Sequence, residues 1–527
     1  MNSHTLPAKV FNARCLPLAL AALVAGLLCM SIEVWWITGI AMVLIAALIL
    51  ALTLKHRRRR GVGVTCLVCL FAAVSVCIPA SAYSRARVAA VEDCNVTGRV
   101  VEVSADEIGR IDALVLDDLR VNGTPVEGKM QVSLPVEEHG VPFCVFEDAF
   151  AADAVVGYPI ALGQTVRLHG DVSPIAWDYY RSRNMHNIAR RLYRQMRATS
   201  CEVQDEICRT SADAKVRLAL YRTLRRNMSG QSAGMAYAFL TGNSCYVPDD
   251  VLAGYRLTGV AHLLAVSGLH VGVLAGVLLW VLKRLRCPAW GKTLTLAVVL
   301  GIYAWLCGGA PSVVRATVVS VGMPALYALG CHRDRPSMLA LAGLVLLLVN
   351  PLWLFDVSFL LSYAAFAGIV LLYPPVRKAL GKVRGKWGDA LALNLAVTAS
   401  TLPLSVYFFG GFGALAVPVN FVLIPIMSVV YVGLLVLALV SAVPVLGILL
   451  VSVDYALRAV NTSVAWLGQW GYCKCTMTVW QLPLFYGGVL LESPYCLLPA
   501  KLRHSLAAVA VGGFAVLTVL LSLFGAN

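Results

Sequence analysis

Charged side chains are scarce in this chain of 527 residues. They make up 13% of it, while hydrophobic residues make up 59%, and a soluble domain carries about 25% charged residues. Apolar runs of about 18 or more residues recur, which excludes a soluble globular protein and predicts a polytopic α-helical membrane protein. The charges present are unequal in sign, with 43 Lys and Arg against 28 Asp and Glu. Because cytoplasmic loops of membrane proteins collect basic residues, this excess alone does not indicate nucleic acid.

Catalytic motifs are also missing. The sequence has no phosphate-binding loop, since Gly291-Lys292-Thr293 lacks the upstream glycine of that motif, and it has no His-Glu-x-x-His pair. Its nine histidines are scattered, and two of them on one segment are too few for a catalytic zinc. We therefore expect no cofactor, no metal and no enzymatic activity in this chain, and we expect any energy for transport to come from another protein or from the membrane potential.

Residues 1–82 are predicted to form N-terminal transmembrane helices. Three apolar segments lie near residues 16–30, 35–54 and 62–80, and the basic block at residues 55–60 separates the last two. A block of Lys and Arg beside a span marks a cytoplasmic loop. The third segment is therefore expected to lead to the extracytoplasmic side.

Residues 83–176 change character and predict a small extracytoplasmic β-barrel. Residues 96–103, 113–121, 129–134 and 164–172 have the pattern of short strands, with a turn at Asn122-Gly123. An oligonucleotide-binding (OB-like) barrel and a purely structural module both fit this pattern. In an oxidising compartment four cysteines are candidates for two disulfides, with three possible pairings: Cys94, Cys144, Cys201 and Cys208.

Residues 177–232 are predicted to be a basic amphipathic helical segment. Between residues 181 and 226 there are twelve Lys and Arg against four Asp and Glu, interleaved with Leu and Tyr. The pattern fits helices that lie on the membrane surface. It fits equally a collar that attracts phosphate groups.

Residues 233–527 are predicted to form a second block of spans, the first near residues 260–282. Polar side chains inside spans are costly and indicate function. His262 and His270 are spaced to share one face of a helix with Val266, and Ser267 lies toward the same side. Ser312 with Arg315 and Ser358 with Ser362 begin later spans. Pro418 and Pro425 predict a broken region over residues 415–443, although kinked packing would explain each proline alone.

The stretch from His262 to Gly272 resembles the signature of the ComEC family, inner-membrane proteins of DNA uptake in natural competence. Further resemblances follow in the family's order: Trp177–Arg181, Tyr303–Ala316, Asn350-Pro351, Phe359–Ser362, Thr401–Pro403, and Asn420 with Pro425. Two departures are present. Thr241–Ser244 lacks the charged residues usual there, and the metal motif of the family's metallo-β-lactamase-like domain is absent. The chain therefore resembles a short form, natural or truncated.

The resemblance implies transport of single-stranded DNA across the cytoplasmic membrane, with the barrel binding incoming DNA. We expect the channel to be lined by His262, Ser267, His270, Ser312, Arg315 and Ser362. We expect DNA contacts from Trp177, Tyr179, Tyr180, Arg181, Arg190 and Arg194. Besides DNA, the expected partners are membrane lipids, a cytoplasmic motor, a separately encoded nuclease and competence DNA-receptor proteins.

Three other functions remain open from the sequence. An intramembrane hydrolase would use Ser267 as nucleophile with His262 or His270 as base, but no orienting acid is nearby in the sequence. A small-solute transporter would show an inverted repeat, which is not visible. A scaffold would use the polar residues only for helix packing.

Overall fold

A closed β-barrel and a bundle of helices make up the described structure. The computed structural model describes residues 90–105, 111–134, 143–146, 157–160, 164–175, 192–204, 212–244, 246–329, 335–350, 353–354, 356–381, 383, 385–440, 449–475, 477–478, 481–491 and 500–524. The predicted N-terminal transmembrane helices of residues 1–82 lie outside these ranges.

The barrel consists of five strands, and its first strand pairs antiparallel with two others. Its strands are β1 (Val91–Ala105), β2 (Ile111–Val121), β4 (Lys129–Ser133), β7 (Thr165–Pro174) and β8 (Leu192–Gln204); β3 (Thr124–Val126) extends the β2 edge. The order is β1-β7-β8-β4-β2, and β1 also pairs with β2, which closes the ring. Only β4 and β8 run parallel among these pairs. Five strands in a closed ring, antiparallel except for this one pair, are the architecture of a small OB-like barrel, as predicted.

The barrel core follows the period of two that marks a half-buried strand. In β7, Val166, Leu168 and Val172 point inward and are buried, whereas Arg167 and Asp171 are exposed. A separate pair of short parallel strands, β5 (Phe143–Phe146) and β6 (Gly157–Ile160), lies between β4 and β7 in the chain. The four predicted strands therefore exist, and the barrel contains one strand more.

That additional strand corrects the predicted helical segment. Residues 192–204 form β8, so the barrel extends from residue 91 to residue 204 rather than ending at 176. Leu192, Arg194, Met196 and Ala198 are buried on its inner side. The sequence pattern of β8 did not read as a strand because Arg194 occupies an inward position. Arginines are almost never buried unless they are paired. Helix α1 (Ala212–Asn227) then begins, and it is helical as predicted.

The bundle follows α1 and consists of helices joined by short turns. Their bounds are α2 (Gly230–Thr241), α3 (Asp249–Leu257), α4 (Gly268–Arg284), α5 (Ala289–Leu306), α6 (Pro311–Ala328), α7 (Arg335–Val349), α8 (Val357–Ala367), α9 (Tyr373–Ala379), α10 (Gly385–Phe409), α11 (Ala416–Val440), α12 (Leu450–Gly468), α13 (Gln481–Leu491) and α14 (Ala500–Phe524). A π-helical turn, Gly368–Leu372, joins α8 to α9. Strands β9 (Gly411–Gly413) and β10 (Tyr472–Lys474) pair antiparallel.

Four of the described helical stretches are long and apolar enough to cross a membrane: Ala289–Leu306, Val357–Ala379, Gly385–Phe409 and Ala416–Ala438. The last of these corrects the predicted broken region, because α11 runs without interruption through both prolines. Pro418 lies in the first turn, where its missing N–H leaves no hydrogen bond unmade. The break lies instead before α4, inside the predicted span at residues 260–282.

Exposed tryptophans lie at two levels of the bundle. Trp280 near the end of α4 and Trp290 near the start of α5 adjoin across the short turn between these helices and form one level. Trp305, near the other end of α5, marks the second level. Fifteen residues of α5 separate its two tryptophans, about 22 Å along a helix. Such rings are typical of the two membrane interfaces, and basic residues accompany the first level, where Arg284 lies 5.4 Å from the Trp280 ring.

Candidate functional site

The backbone between α3 and α4 is not α-helical over residues 258–267. Gly259 adopts a left-handed φ of +77°, and a Cβ there would lie 2.8 Å from the Ala416 Cβ. Gly413 approaches from β9, since its own Cβ would lie 2.6 Å from the Thr258 carbonyl carbon. A single 3₁₀ turn, Ala261–Leu263, follows. We call residues 258–267 the interrupted segment.

The interrupted segment exposes a histidine in the middle of the bundle core. Val260, Leu263, Leu264 and Val266 are all buried in that core, whereas His262 is exposed. Interrupted backbone at membrane depth is tolerated where it is buried in protein or lines a water-filled cavity. The segment therefore places one polar side chain, His262, on an accessible surface beside buried apolar residues.

Ser267 and His270 form a reciprocal cap at the start of α4. The Ser267 hydroxyl accepts from the Leu269 N–H at 3.2 Å, and the Ser267 N–H donates to Nδ1 of His270 at 3.1 Å. The two side chains also lie 3.2 Å apart, from Oγ to Nδ1. Because Nδ1 accepts from the backbone, the geometry selects the His270 tautomer with its proton on Nε2. His270 is 5% exposed and its ring lies edge-on to Tyr431, 4.6 Å between centroids.

This arrangement corrects the predicted shared helical face. His262 lies on the 3₁₀ turn and His270 in the first turn of α4, so no continuous helix carries both. The predicted contact between Ser267 and His270 exists, but it arises from capping. The start of α4 was missed because no proline marks it. The signal available in the sequence was Ser267 followed three residues later by a side chain able to reach back.

Ser312 fixes the interrupted segment to α6. Its hydroxyl donates to the Val266 carbonyl at 3.0 Å, and the side chain is 7% exposed. The bond satisfies a carbonyl that has no helical partner where the chain is irregular. Ser312 therefore fixes the interrupted segment from its buried side.

Arg315 lies one turn further along α6 and is half-buried. Its Nη2 lies 2.8 Å from the position that a Cβ on Gly268 would take, and its Cζ is 5.9 Å from the Tyr363 ring centroid. Nε is buried and has no hydrogen-bond partner. In the described part of the chain no carboxylate pairs with this guanidinium. Tyr363 and Gly268 were missed by the sequence reasoning, although Tyr363 follows the predicted Ser362 directly.

Ser362 is half-exposed on α8, the helix that carries Tyr363. The start of α8 is fixed by Asp356, whose carboxylate accepts from the N–H groups of Ser358 and Phe359 at 2.8 and 3.1 Å. Helices α4, α6 and α8 thus begin with polar groups, and α6 packs against both others. Because Trp280 lies near the end of α4, the first turn of α4 and the neighbouring start of α6 lie toward the level of Trp305.

The predicted DNA-contacting residues are divided between described and undescribed parts of the chain. Trp177, Tyr179, Tyr180, Arg181 and Arg190 lie outside the described residues, in the connection between β7 and β8. Arg194 is described and is only 1% exposed; its Nη1 donates to the Glu127 carbonyl at 2.8 Å. Burial lowers the pKa of this guanidinium. Arg194 stabilises the barrel interior here, and this corrects its expected role as a surface phosphate contact.

The outward faces of β2 and β4 carry no aromatic ring. In OB-folds this face and the connections between strands bind oligonucleotides. Here the cross-strand neighbours are Val115 with Gln131 and Ala113 with Ser133, and the charged residues on the two strands are mixed in sign: Arg120, Lys129, Asp117 and Asp118. The described strand face therefore lacks the aromatic platform of a single-strand binder.

Cys94 is a free, fully buried thiol in the barrel, 3.3 Å from the Gly170 carbonyl oxygen. The structure does not join it in a disulfide. The side chains of Cys144 and Cys201, and all of Cys208, lie outside the described residues. A pairing among those three stays a prediction.

A hydrolytic site finds little support in this geometry. Ser267 and His270 lie in contact, but the His270 nitrogen that faces the hydroxyl also accepts the Ser267 N–H. The His270 ring also contacts the rings of Tyr431 and Phe239, neither of which is a carboxylate that could orient it. Within the described ranges no three His, Cys, Asp or Glu residues are grouped so as to hold a metal ion.

Comparison with known proteins finds one family model that matches most of the bundle. Residues 239–497 match the family model described as Competence protein. The chain is 35% identical over 198 residues to ComE operon protein 3 of Bacillus subtilis, covering 37% of this chain and 24% of that protein. It is 30% identical over 211 residues to Competence protein ComA of Neisseria gonorrhoeae, covering 37% and 28%. It is 26% identical over 221 residues to Recombination protein 2 of Haemophilus influenzae, covering 39% and 28%.

The chain matches less than a third of the length of each of these three relatives. No solved structure matches it significantly. The matched region includes the interrupted segment, α4, α6 and α8, and so contains the whole polar site.

Proposed function

Because this chain belongs to the competence protein family through residues 239–497, we propose that it carries single-stranded DNA across the cytoplasmic membrane during natural transformation. The observation that carries the proposal is the exposed His262 on an interrupted segment whose larger apolar residues, Val260, Leu263, Leu264 and Val266, are buried. A phosphodiester strand cannot cross hydrocarbon dry, since each bare charge would cost many kcal/mol. A conduit for it must be wet, and this is the place where polar surface enters the bundle.

The proposed passage has an inner lining and a supporting layer. His262, Ser267, Arg315 and Ser362 are exposed or half-exposed and form the lining. His270 and Ser312 are buried and hold the lining in place through the cap and the Val266 bond. Polar groups of this kind face a bundle interior or water-filled space, because lipid cannot satisfy them.

The positive-inside rule sets the proposed orientation. Lys283, Arg284 and Arg286 lie near the first tryptophan level, so that level belongs at the cytoplasmic interface. The starts of α4 and α6 then lie at the extracytoplasmic end. The barrel would lie outside the cytoplasm, where incoming DNA arrives, in a multi-pass protein of the cytoplasmic membrane.

DNA binding by the barrel would fall to the connection of residues 176–191 rather than to the strand face. Trp177, Tyr179 and Tyr180 offer rings for stacking, and Arg181 and Arg190 offer charge for phosphates. Binding of this kind weakens steeply with salt. A motor or the membrane potential would supply energy, and a separate nuclease and competence receptors would complete the pathway.

Complementation of a deletion strain tests the proposal. We expect the strain lacking this gene to lose transformation, the wild-type gene to restore it, and His262→Leu to restore little, because an apolar side chain removes the polar surface of the segment. Leu294→Ala is the matched control, since Leu294 is 66% exposed on the outer side of α5. Normal transformation in the deletion strain would refute the proposed function.

A further inference from the structure

Arg315 is a cation that no carboxylate pairs with in the described part of the bundle. No Asp or Glu among the described residues forms an ion pair with it, and its buried Nε donates to nothing. Charged residues within membrane-spanning regions normally pair with one another or with backbone carbonyls. Leaving one unpaired costs free energy, so a guanidinium with no carboxylate among the described residues favours an anionic ligand.

The contact with Tyr363 holds the guanidinium without neutralising it. The ring face attracts a cation by its quadrupole, whereas a carboxylate would cancel the charge. Tyr363 is itself fixed, since its hydroxyl donates to the Leu339 carbonyl at 3.3 Å and its ring stacks on Phe359, 4.4 Å between centroids. Arg315 is therefore held in place while its charge stays available.

Gly268 leaves the space that the guanidinium occupies. Any side chain at this position would begin 2.8 Å from Nη2 and displace it. Arg315 also lies beside the start of α4 and in the second turn of α6. Helix starts carry partial positive charge and favour anions, and cations are favoured at the opposite ends. The partial positive charge of these helix starts adds to the charge of Arg315, so the location favours a bound anion.

We propose that Arg315, positioned by Tyr363 and Gly268, is a binding site for the phosphodiester groups of the passing strand. The inference rests on the proposed function and adds to it the chemical class that the site takes. A guanidinium offers two parallel N–H donors to a phosphate. Tyr363 and Gly268 are positioning residues that need not touch the strand.

Salt-dependent binding of a fluorescent oligothymidylate to the purified full chain in detergent tests the site. Arg315→Gln should weaken binding about tenfold at low salt, and it should lower the slope of log affinity against log salt by about 0.7, one phosphate contact on a single strand. Tyr363→Phe keeps the ring and should bind as wild type. Tyr363→Leu and Gly268→Ala should weaken binding less than Arg315→Gln does.

Arg284→Gln is the charge-matched control, because Arg284 is exposed at the far end of α4 and should be dispensable for binding. An unchanged slope for Arg315→Gln, or a loss for Tyr363→Phe equal to that for Tyr363→Leu, would overturn the inference. A wild-type chain that binds no oligonucleotide would instead count against the proposed function, so the two failures are distinguishable.

Discussion

The hydroxyl of Ser312 donates to the carbonyl of Val266 at 3.0 Å and so ties α6 to the interrupted segment. The bond crosses 46 residues of sequence and is buried. It fixes the position of the residues on either side, His262 and Ser267, relative to Arg315. The polar site is therefore held together by a group that does not itself face the open space.

Ser312→Ala is expected to loosen the site. The Val266 carbonyl would lose its partner while buried, which costs about 1–3 kcal/mol. We expect a lower midpoint of thermal unfolding in detergent and reduced transformation. Ser428→Ala is the control, because the Ser428 hydroxyl bonds only to Ile424 of its own helix. Equal stability of the Ser312 and Ser428 variants would show that the bond to Val266 contributes nothing.

Ser267 variants separate a conduit from a hydrolase. Ser267→Asn keeps a side chain that caps helices well, whereas Ser267→Ala loses about 0.5–2 kcal/mol of capping. A hydrolase needs the hydroxyl as nucleophile and would be inactive in both variants. We expect transformation to survive in Ser267→Asn and to fall in Ser267→Ala. A complete loss in Ser267→Asn with normal protein levels would favour the hydrolase.

Tyr246 joins the barrel to the bundle. Its ring stacks on Tyr221 with centroids 3.6 Å apart and packs against both hydrophobic cores. Tyr246→Ala is expected to broaden the distance distribution between spin labels at Gln195 in the barrel and Cys473 in β10, while Tyr246→Phe should keep it narrow. Pulsed electron paramagnetic resonance measures both. A distribution unchanged by Tyr246→Ala would show that other contacts fix the barrel.

Burial raises the pKa of the Cys94 thiol. The folded state therefore binds the thiol proton more tightly than the unfolded state, and raising the pH above the unfolded value near 8.5 favours unfolding. We expect iodoacetamide to alkylate Cys94 slowly at pH 8 and quickly in denaturant, with exposed Cys473 reacting quickly in both. A Cys94 that resists alkylation in denaturant until reductant is added would reveal a disulfide.

The sequence could predict those strands and helices in which apolar residues recur in a regular pattern. The barrel strands alternate apolar and polar residues, as Val166 and Leu168 do around Arg167, so four of them were found. Strand β8 was missed because Arg194 occupies an inward position, where its bond to the Glu127 carbonyl satisfies the guanidinium in the folded barrel. The long helices were found from their apolar length.

The sequence indicated candidate site residues but not their geometry. Intramembrane His, Ser and Arg are costly, so composition alone indicated His262, Ser267 and Arg315. The interruption before α4 depends on the approach of Gly413 to Gly259, residues far apart in sequence. Pairings over such separations leave no local pattern. The contact of Arg315 with Tyr363 was missed for the same reason.

Accessibility of position 262 tests the central claim most directly. In a chain with its native cysteines replaced, His262→Cys should react with a membrane-impermeant thiol reagent added from the extracytoplasmic side. Added single-stranded DNA should slow that reaction. Val298→Cys, 53% exposed on the outer side of α5, should stay unreactive because lipid covers it. A His262→Cys variant as unreactive as Val298→Cys would contradict a wet passage at the interrupted segment.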